Sequence, residues 1–225
     1  MSYGILSTND ILNDLCKKIR KLELEPGSMI SENEMAEVYN VSRSSIRTVF
    51  SKLEQMLLIK RFPQIGTYIS PFDIEYVNNA LYVRSLIELE AIHKVIKLEN
   101  KDEVIKKLEE NISIQKRYKE DKDYESKFQQ VDVDFHKIIL ESVNLLGLRE
   151  IIKDSNIHIA RWRNFDIIYR NKIPIILDEH NQILESIKNS DIKSAYDYVR
   201  KHLLIDDFYL ERARKEYPDY FKKRL

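Results

Sequence analysis

From Pro71 to Leu225 no stretch of this chain reads as a β-strand, and that feature limits the fold more than any other. Apolar residues recur there every three or four positions, the period of a helix with one buried face. Glycine and proline, which break helices and build tight turns, number only four and five in 225 residues. The spacing predicts helices over roughly 72–98, 102–119, 121–143, 146–170, 174–189 and 191–214. Short connections between them imply an antiparallel helical bundle. With 43% hydrophobic residues, the chain has enough apolar material for a sizeable core.

The first 70 residues follow another plan. Thr8 or Asn9 is placed to cap a helix carrying Ile11, Leu12, Leu15, Ile19 and Leu22, which Glu25-Pro26-Gly27 stops. Ser31 and Glu34 form the S-x-x-E capping box of a short second helix, and Asn40 ends it. Ser42 caps a third helix whose inward face is Ile46, Val49, Phe50 and Leu53. Two β-type runs follow around Pro63-Gln64-Ile65-Gly66, a hairpin with Gly66 at its tip. Helix, short helix, three-residue turn, helix and hairpin make a winged helix-turn-helix. Ser70-Pro71 marks the boundary, with Ser70 as cap and Pro71 at the first helical position. The expected fold is therefore mainly α: a winged helix-turn-helix domain over 1–70, then an all-α antiparallel bundle over 71–225. The basic tail FKKRL is expected to fray.

Net charge is zero, with 37 basic and 37 acidic residues, so the chain is no general coat for nucleic acid. DNA binding must rest on a local patch. One exists between Val41 and Phe62, where Arg43, Arg47, Lys52, Lys60 and Arg61 face Glu54 alone. Arg43 and Arg47 stand one helical turn apart, and an arginine fork can take guanine O6 and N7 together. Ser44 and Ser45 sit at the helix start, where a phosphate can be held; Ser31 and Ser42 read first as caps. The single Cys16 allows no intrachain disulfide, and no run is long and apolar enough to cross a membrane. A cytoplasmic protein is expected.

The segment VDVDFHKII (131–139) sets Asp132 and His136 beside an apolar helix face. At 100° per residue they lie roughly 40° apart, while Asp134 falls on the other flank. His180 and His202 stand about equally far from a turn at Asn189-Ser190-Asp191, so an antiparallel pair brings them level. A salt-bridged edge, a catalytic pair and a metal site all remain open on spacing alone. Three imidazoles with one carboxylate suit Zn²⁺, Ni²⁺, Mn²⁺ or Fe²⁺. His93 and His158 read as ordinary hydrogen-bonded histidines.

The stretch EPGSMISENEMAEVYNVSRSSIRTVFSKLEQMLLIKRFPQIGTYIS resembles the N-terminal domain of the GntR family of bacterial transcription regulators. The resemblance lies in the PG turn, S-E-x-x-M-A, VSR-x-x-[IV]R and G-T-x-[IV]. It implies operator contacts from Arg43, Arg47 and Gly66; Asn33, Ser42, Ser44 and Ser45 complete the expected DNA-reading set. Many members have Thr-Pro and Glu-Ala where this chain has Ser44-Ser45 and Thr48-Val49, and a glycine where it has Met56, so the operator sequence does not carry over. The region from about 75 to 214 resembles the FCD class of the family. The marks are Val83-Arg84-Ser85-Leu86-Ile87-Glu88, Asp132 to His136 followed by Ser142 to Asn144, Glu179-His180-Asn181-Gln182-Ile183, and His202-Leu203. In metal-binding members the corresponding aspartate and three histidines hold a divalent metal, which implies that role for Asp132, His136, His180 and His202.

The same resemblance implies a small effector beside the metal, often an organic acid, with Arg84 and Asn144 as its partners here. The expected protein is a homodimer on a short palindrome of double-stranded operator DNA, its affinity set by the effector. Two rival readings keep the cluster: a purely structural metal, or a metal-dependent hydrolase, against which stands the lack of an evident nucleophile or oxyanion hole.

Overall fold

A computed structural model describes residues 6–118, 124–170 and 172–222. The chain divides into two compact units. One holds residues 6–77 with 156–165 and 207–222; the other holds 78–155 and 166–206.

In the first unit, α1 (Thr8–Arg20) is capped by Ser7, one residue before the expected caps. The reason is Asp10: its carboxylate accepts from Ser7 N–H at 3.0 Å while the Ser7 hydroxyl accepts from Asp10 N–H at 3.2 Å. The helix ends before the Pro-Gly turn, and Leu22 lies beyond it at φ 63. Strand β1 (Met29–Ile30), which the sequence reading missed, precedes α2 (Glu32–Tyr39) and α3 (Arg43–Gln55). Strands β2 (Ile59–Phe62) and β3 (Gly66–Ile69) complete an antiparallel sheet of order β1-β3-β2. Two residues are too short a run for alternation to register, yet Ile30 is buried while Met29 is exposed. Ile11, Leu15 and Ile19 meet Ile46, Val49, Phe50 and Leu53 in the core, as the periodicity requires.

The expected helix start at Ser70-Pro71 is not the observed one. Phe72 runs extended and pairs with Phe221: Phe72 N–H donates to Tyr220 C=O at 2.7 Å and Lys222 N–H to Phe72 C=O at 3.0 Å. The Phe72 ring is buried against Trp162, Phe165 and Phe221, with centroids 5.7, 5.4 and 5.7 Å away. Burying such a side chain is worth about 1.5–3 kcal/mol, more than a helix start gains. Asp73 then caps α4 (Ile74–Ile96), accepting from Tyr76 N–H. Phe221, expected in a frayed tail, is therefore a core residue; the rest of that tail, 223–225, lies outside the described residues. The buried Arg161 guanidinium donates to Ser70 C=O and lies over the Phe72 ring.

The second unit packs part of α4 with α5 (Asp102–Arg117), α6 (Tyr124–Ser142), α8 (Ile173–Lys188) and α9 (Ile192–Leu203). Helix α7 (Lys153–Arg170) contributes residues to both units. Leu108, Ile112, Phe135, Ile139, Ile183 and Val199 are central to the second core. Two expected helices are divided. Residues 146–170 begin with a 3₁₀ segment, Leu146–Ile152, and 191–214 break after Leu203, where Leu204 is extended, before α10 (Asp207–Glu216). Residues 121–123 of the expected 121–143 helix lie outside the described residues. No helix among those described is long and apolar enough to cross a membrane.

Gly27 donates its N–H to Ile69 C=O with φ +79, and a Cβ there would stand 2.8 Å from the Asp219 carbonyl oxygen. Gly27→Ala is therefore expected to destabilise by more than about 1 kcal/mol. Gly147→Ala, with nothing within 4 Å, is expected to change little. Urea unfolding of the two variants checks the contrast.

Candidate metal centre and DNA-reading surface

Helix α3 leaves its polar side open because its apolar side, Ile46, Val49, Phe50 and Leu53, is fully committed to the core. Asn40, left-handed at φ 50, ends α2 and lets the chain turn. Ser42 accepts from Ser45 N–H at 3.2 Å, and its hydroxyl lies within 2.9 Å of those of Ser44 and Ser45. Arg43, Ser44 and Arg47 are exposed. Arg43 and Asn33 line one groove with the hairpin residues Arg61, Gln64 and Gly66. Arg47 faces Glu32, its Nε and Nη2 3.4 and 3.3 Å from Oε2. Any anion that binds Arg47 must therefore compete with a carboxylate already on it. Gly66 is not at the hairpin tip: it opens β3, pairs with Phe62, and makes room for Met29, whose Sδ would lie 3.2 Å from an added Cβ. The tip is Pro63 to Ile65, with Ile65 69% exposed. Sequence reasoning counted Arg61 as charge only; Arg61 donates to Ser51 Oγ at 2.9 Å and pairs with Glu54 at 3.2 Å.

The second unit gathers the four residues of the suspected cluster. Helix α6 supplies Asp132 and His136, α8 His180 and α9 His202, with 3%, 1%, 0% and 3% of their surfaces exposed. One ligand atom from each lies within 4.8 Å of the others. His202 Nε2 is 3.1 Å from His136 Nε2 and 3.3 Å from His180 Nε2, and His180 Nε2 is 3.6 Å from Asp132 Oδ1. Phe135 stacks on His180 at 3.9 Å between centroids and fixes its plane.

The outward nitrogens all face acceptors. His202 Nδ1 is 2.9 Å from Glu179 Oε2, and His180 Nδ1 is 2.9 Å from Gln115 Oε1. His136 Nδ1 is 2.7 Å from Glu88 Oε2, at ion-pair distance but without hydrogen-bond alignment. A carboxylate oxygen accepts, so a proton on His202 Nδ1 is the one Glu179 can take, with Nε2 turned inward; His136 Nδ1 stands opposite Glu88 in the same sense, at ion-pair distance. Burial would raise the Glu88 carboxyl, but Arg84 and His136 overcome it and hold it well below the usual carboxylate range. Burial also holds His136 below the ordinary imidazole range, against the pull of Glu88.

This donor set fits a cation. A metal bound at about 2.0–2.1 Å spreads its ligand atoms roughly 3.0–3.4 Å apart, depending on coordination number. The two Nε2–Nε2 separations, 3.1 and 3.3 Å, fall within that range and the His180–Asp132 separation of 3.6 Å lies just beyond it; outer carboxylates on imidazoles are the usual support of such ligands.

The two halves of the chain match two family models. Residues 80–204 match the FCD domain, and residues 7–69 match the bacterial regulatory proteins, gntR family. The chain belongs to the GntR family, with an FCD domain. An HTH-type transcriptional regulator in an unstable DNA locus of Streptomyces ambofaciens is 28% identical over 97% of this chain and 91% of its own length. The HTH-type transcriptional repressor RspR of Escherichia coli K12 is 24% identical over 89% and 87%. Among solved structures, E. coli McbR/YncC aligns with TM-score 0.64 and 15% identity over 93% of this chain and 98% of its own. A putative GntR regulator from Rhodococcus sp. RHA1 aligns with TM-score 0.64 and 17% identity over 96% and 99%.

As a GntR regulator the protein acts on DNA and is not the hydrolase that the three histidines also suggested. Family members bind small effectors and typically act as dimers, and FCD domains bind metals. Of the expected effector partners, Arg84 lies at the cluster's edge, with Nε 2.6 Å from Glu88 Oε1. Asn144 is exposed and serves as the left-handed terminator of α6 at φ 58. Sequence reasoning missed Arg149, Glu88 and Glu179 as parts of the site. Arg149 sits in the 3₁₀ segment, where no periodicity flags it; burial and Arg84 lower its guanidinium, while Glu88 and Asp132 oppose them. His93 lies 3.8 Å from Glu90, and His158 bonds Met56 C=O, both outside the cluster.

If the cluster holds a metal, free Zn²⁺ at a hundredfold excess over its dissociation constant should add about 2.7 kcal/mol to stability. Calorimetry of the wild type against Asp132→Ala and His180→Ala checks this. An upward shift confined to the wild type is expected, and no shift there would remove the metal.

Proposed function

We propose that this GntR regulator senses a small carboxylate effector beside a divalent transition metal, and that the effector sets its affinity for operator DNA. The observation that carries the reading is the inward convergence of Asp132, His136, His180 and His202 within the FCD region. In this reading the metal is Zn²⁺, Ni²⁺, Mn²⁺ or Fe²⁺, a Lewis acid able to take one oxygen of an organic acid. Arg84 and Asn144 are the effector partners proposed from the sequence. Arg84 supplies a guanidinium for the carboxylate, and Arg149 adds positive charge at the same edge. Residues 1–70 act as the DNA-binding part and 71–225 as the effector part.

Asn33, Ser42, Arg43, Ser44, Ser45, Arg47 and Gly66 form the proposed DNA-reading set. Exposed arginines one turn apart on a capped helix support it. A homodimer would place two such helices on the half-sites of a short palindrome in the cytoplasm. Control requires that the effector bind two arrangements of the dimer with different free energies.

One observation favours a second reading. All four ligands are almost wholly buried, as in closed structural sites. A structural metal would leave operator affinity indifferent to organic acids and would unfold the helical unit when removed.

The test is fluorescence anisotropy of operator DNA with the metal-loaded dimer across a panel of organic acids. At least one acid is expected to change operator affinity tenfold or more, and the response should vanish after chelation. A panel without effect on well-folded, metal-loaded protein refutes the sensing role. Arg47→Ala should weaken operator binding and reduce the salt slope by about one. Arg84→Lys keeps the charge beside Glu88 but loses the fork, and should raise the effector concentration needed by about tenfold.

A further inference from the structure

We infer that Asn111 and Gln115 of α5 form a one-way hydrogen-bond relay that decides which nitrogen of His180 carries its proton, making both positioning residues of the metal centre. This rests on the metal reading above for its purpose, but not for its geometry.

The relay starts at a group that cannot reverse. The Val131 carbonyl, one residue before Asp132, can only accept, and Asn111 Nδ2 donates to it at 3.0 Å. The Asn111 amide is thereby oriented with Oδ1 toward Gln115. That oxygen also only accepts, so Gln115 must offer Nε2, which it does at 2.6 Å. Gln115 is left with Oε1 facing His180 Nδ1 at 2.9 Å. An amide oxygen cannot donate, so Nδ1 carries the proton and the Nε2 lone pair points at Asp132 and His202. Turning both amides over would set Asn111 Oδ1 against Val131 C=O among buried groups: Asn111 is 6% exposed, and Gln115 and His180 are 0%. Amide orientation in a side-chain network is ordinarily open to reversal; here a backbone carbonyl closes it.

The arrangement differs from the other two histidines in charge. The side chains facing the outer nitrogens of His136 and His202 are carboxyl groups, Glu88 at ion-pair distance and Glu179 at hydrogen-bond distance. The amide takes that place for His180 without adding a further negative charge to a buried centre that already holds Asp132. The relay also ties α5 to the backbone of α6 beside the ligand Asp132, so one chain of bonds sets a ligand from α8 relative to one from α6.

The experiment uses full-length protein, with Zn²⁺ alone competed against a chromophoric chelator. Gln115→Leu removes the acceptor and should weaken zinc binding about 10–100-fold, the usual effect of losing an outer partner. Gln115→Glu keeps an acceptor opposite Nδ1 and should bind zinc more tightly than Gln115→Leu, but more weakly than the wild type because its second oxygen meets Asn111 Oδ1. On metal-free wild type labelled with ¹⁵N-histidine, long-range NMR should show His180 protonated at Nδ1 and bare at Nε2; Asn111→Leu should give a mixture. Wild-type zinc affinity in Gln115→Leu, or a wild-type His180 protonated at Nε2, overturns the proposal. Should the wild type take up no zinc, the metal reading fails, while the NMR measurement still decides the relay. Should Gln115→Leu not fold, the wild-type and Asn111→Leu spectra decide alone.

Discussion

Three imidazole nitrogens facing one another across 3.1 and 3.3 Å, with a carboxylate oxygen beside them, are the constraint around which the helical unit is arranged. If each imidazole keeps its proton on the outer nitrogen, the inner lone pairs converge with the Asp132 carboxylate as four potential ligands. A divalent cation would be held by all four at once. The outer partners Glu88, Gln115 and Glu179 come from α4, α5 and α8, so holding the rings also fixes how those helices pack on α6 and α9. Core and site are one construction: Phe135 belongs to the apolar cluster and also stacks on the His180 ring.

The winged helix-turn-helix unit is governed by the opposite circumstance, short-range bonds at exposed positions. Side-chain caps at Ser7, Ser31 and Ser42 start its three helices, and each reaches no further than three residues. Such bonds are worth about 0.5–2 kcal/mol apiece and need no distant partner. Once α3 has buried Ile46, Val49, Phe50 and Leu53, helical geometry leaves Arg43 and Arg47 on the open side. The Glu32 carboxylate pairs with Arg47 on that side, and solvent exposure keeps the pair weak.

The differences between sequence and structure share one cause. A two-residue strand, β1, carries no period to read, and it exists because β3 offers an edge. Helix α4 starts at Ile74 and not at Pro71 because Phe72 is drawn to Trp162, Phe165 and Phe221, residues 90 to 149 positions away. The split after Leu203 has no glycine or proline to announce it. Nothing along the chain distinguishes Asn111, Gln115 and Glu179 as partners of the site, because their bonds are to other helices.

By itself, then, the sequence determined what depends on near neighbours: helical periods, caps, the left-handed turn at Asn40, the arginines on one face of α3, and the one-turn spacing of Asp132 and His136. It also carried the motifs that mark a GntR regulator with an FCD domain. Only the tertiary structure decided which acceptor each imidazole faces, that Arg84 reaches the cluster through Glu88, and that a backbone carbonyl on α6 orients a histidine on α8. Those facts rest on contacts across 20 to 65 positions of chain, such as Asn111 with Val131, His136 with Glu88 and His180 with Gln115. Periodicity along a single helix holds no information about them, because side chains that close meet only after helices have packed.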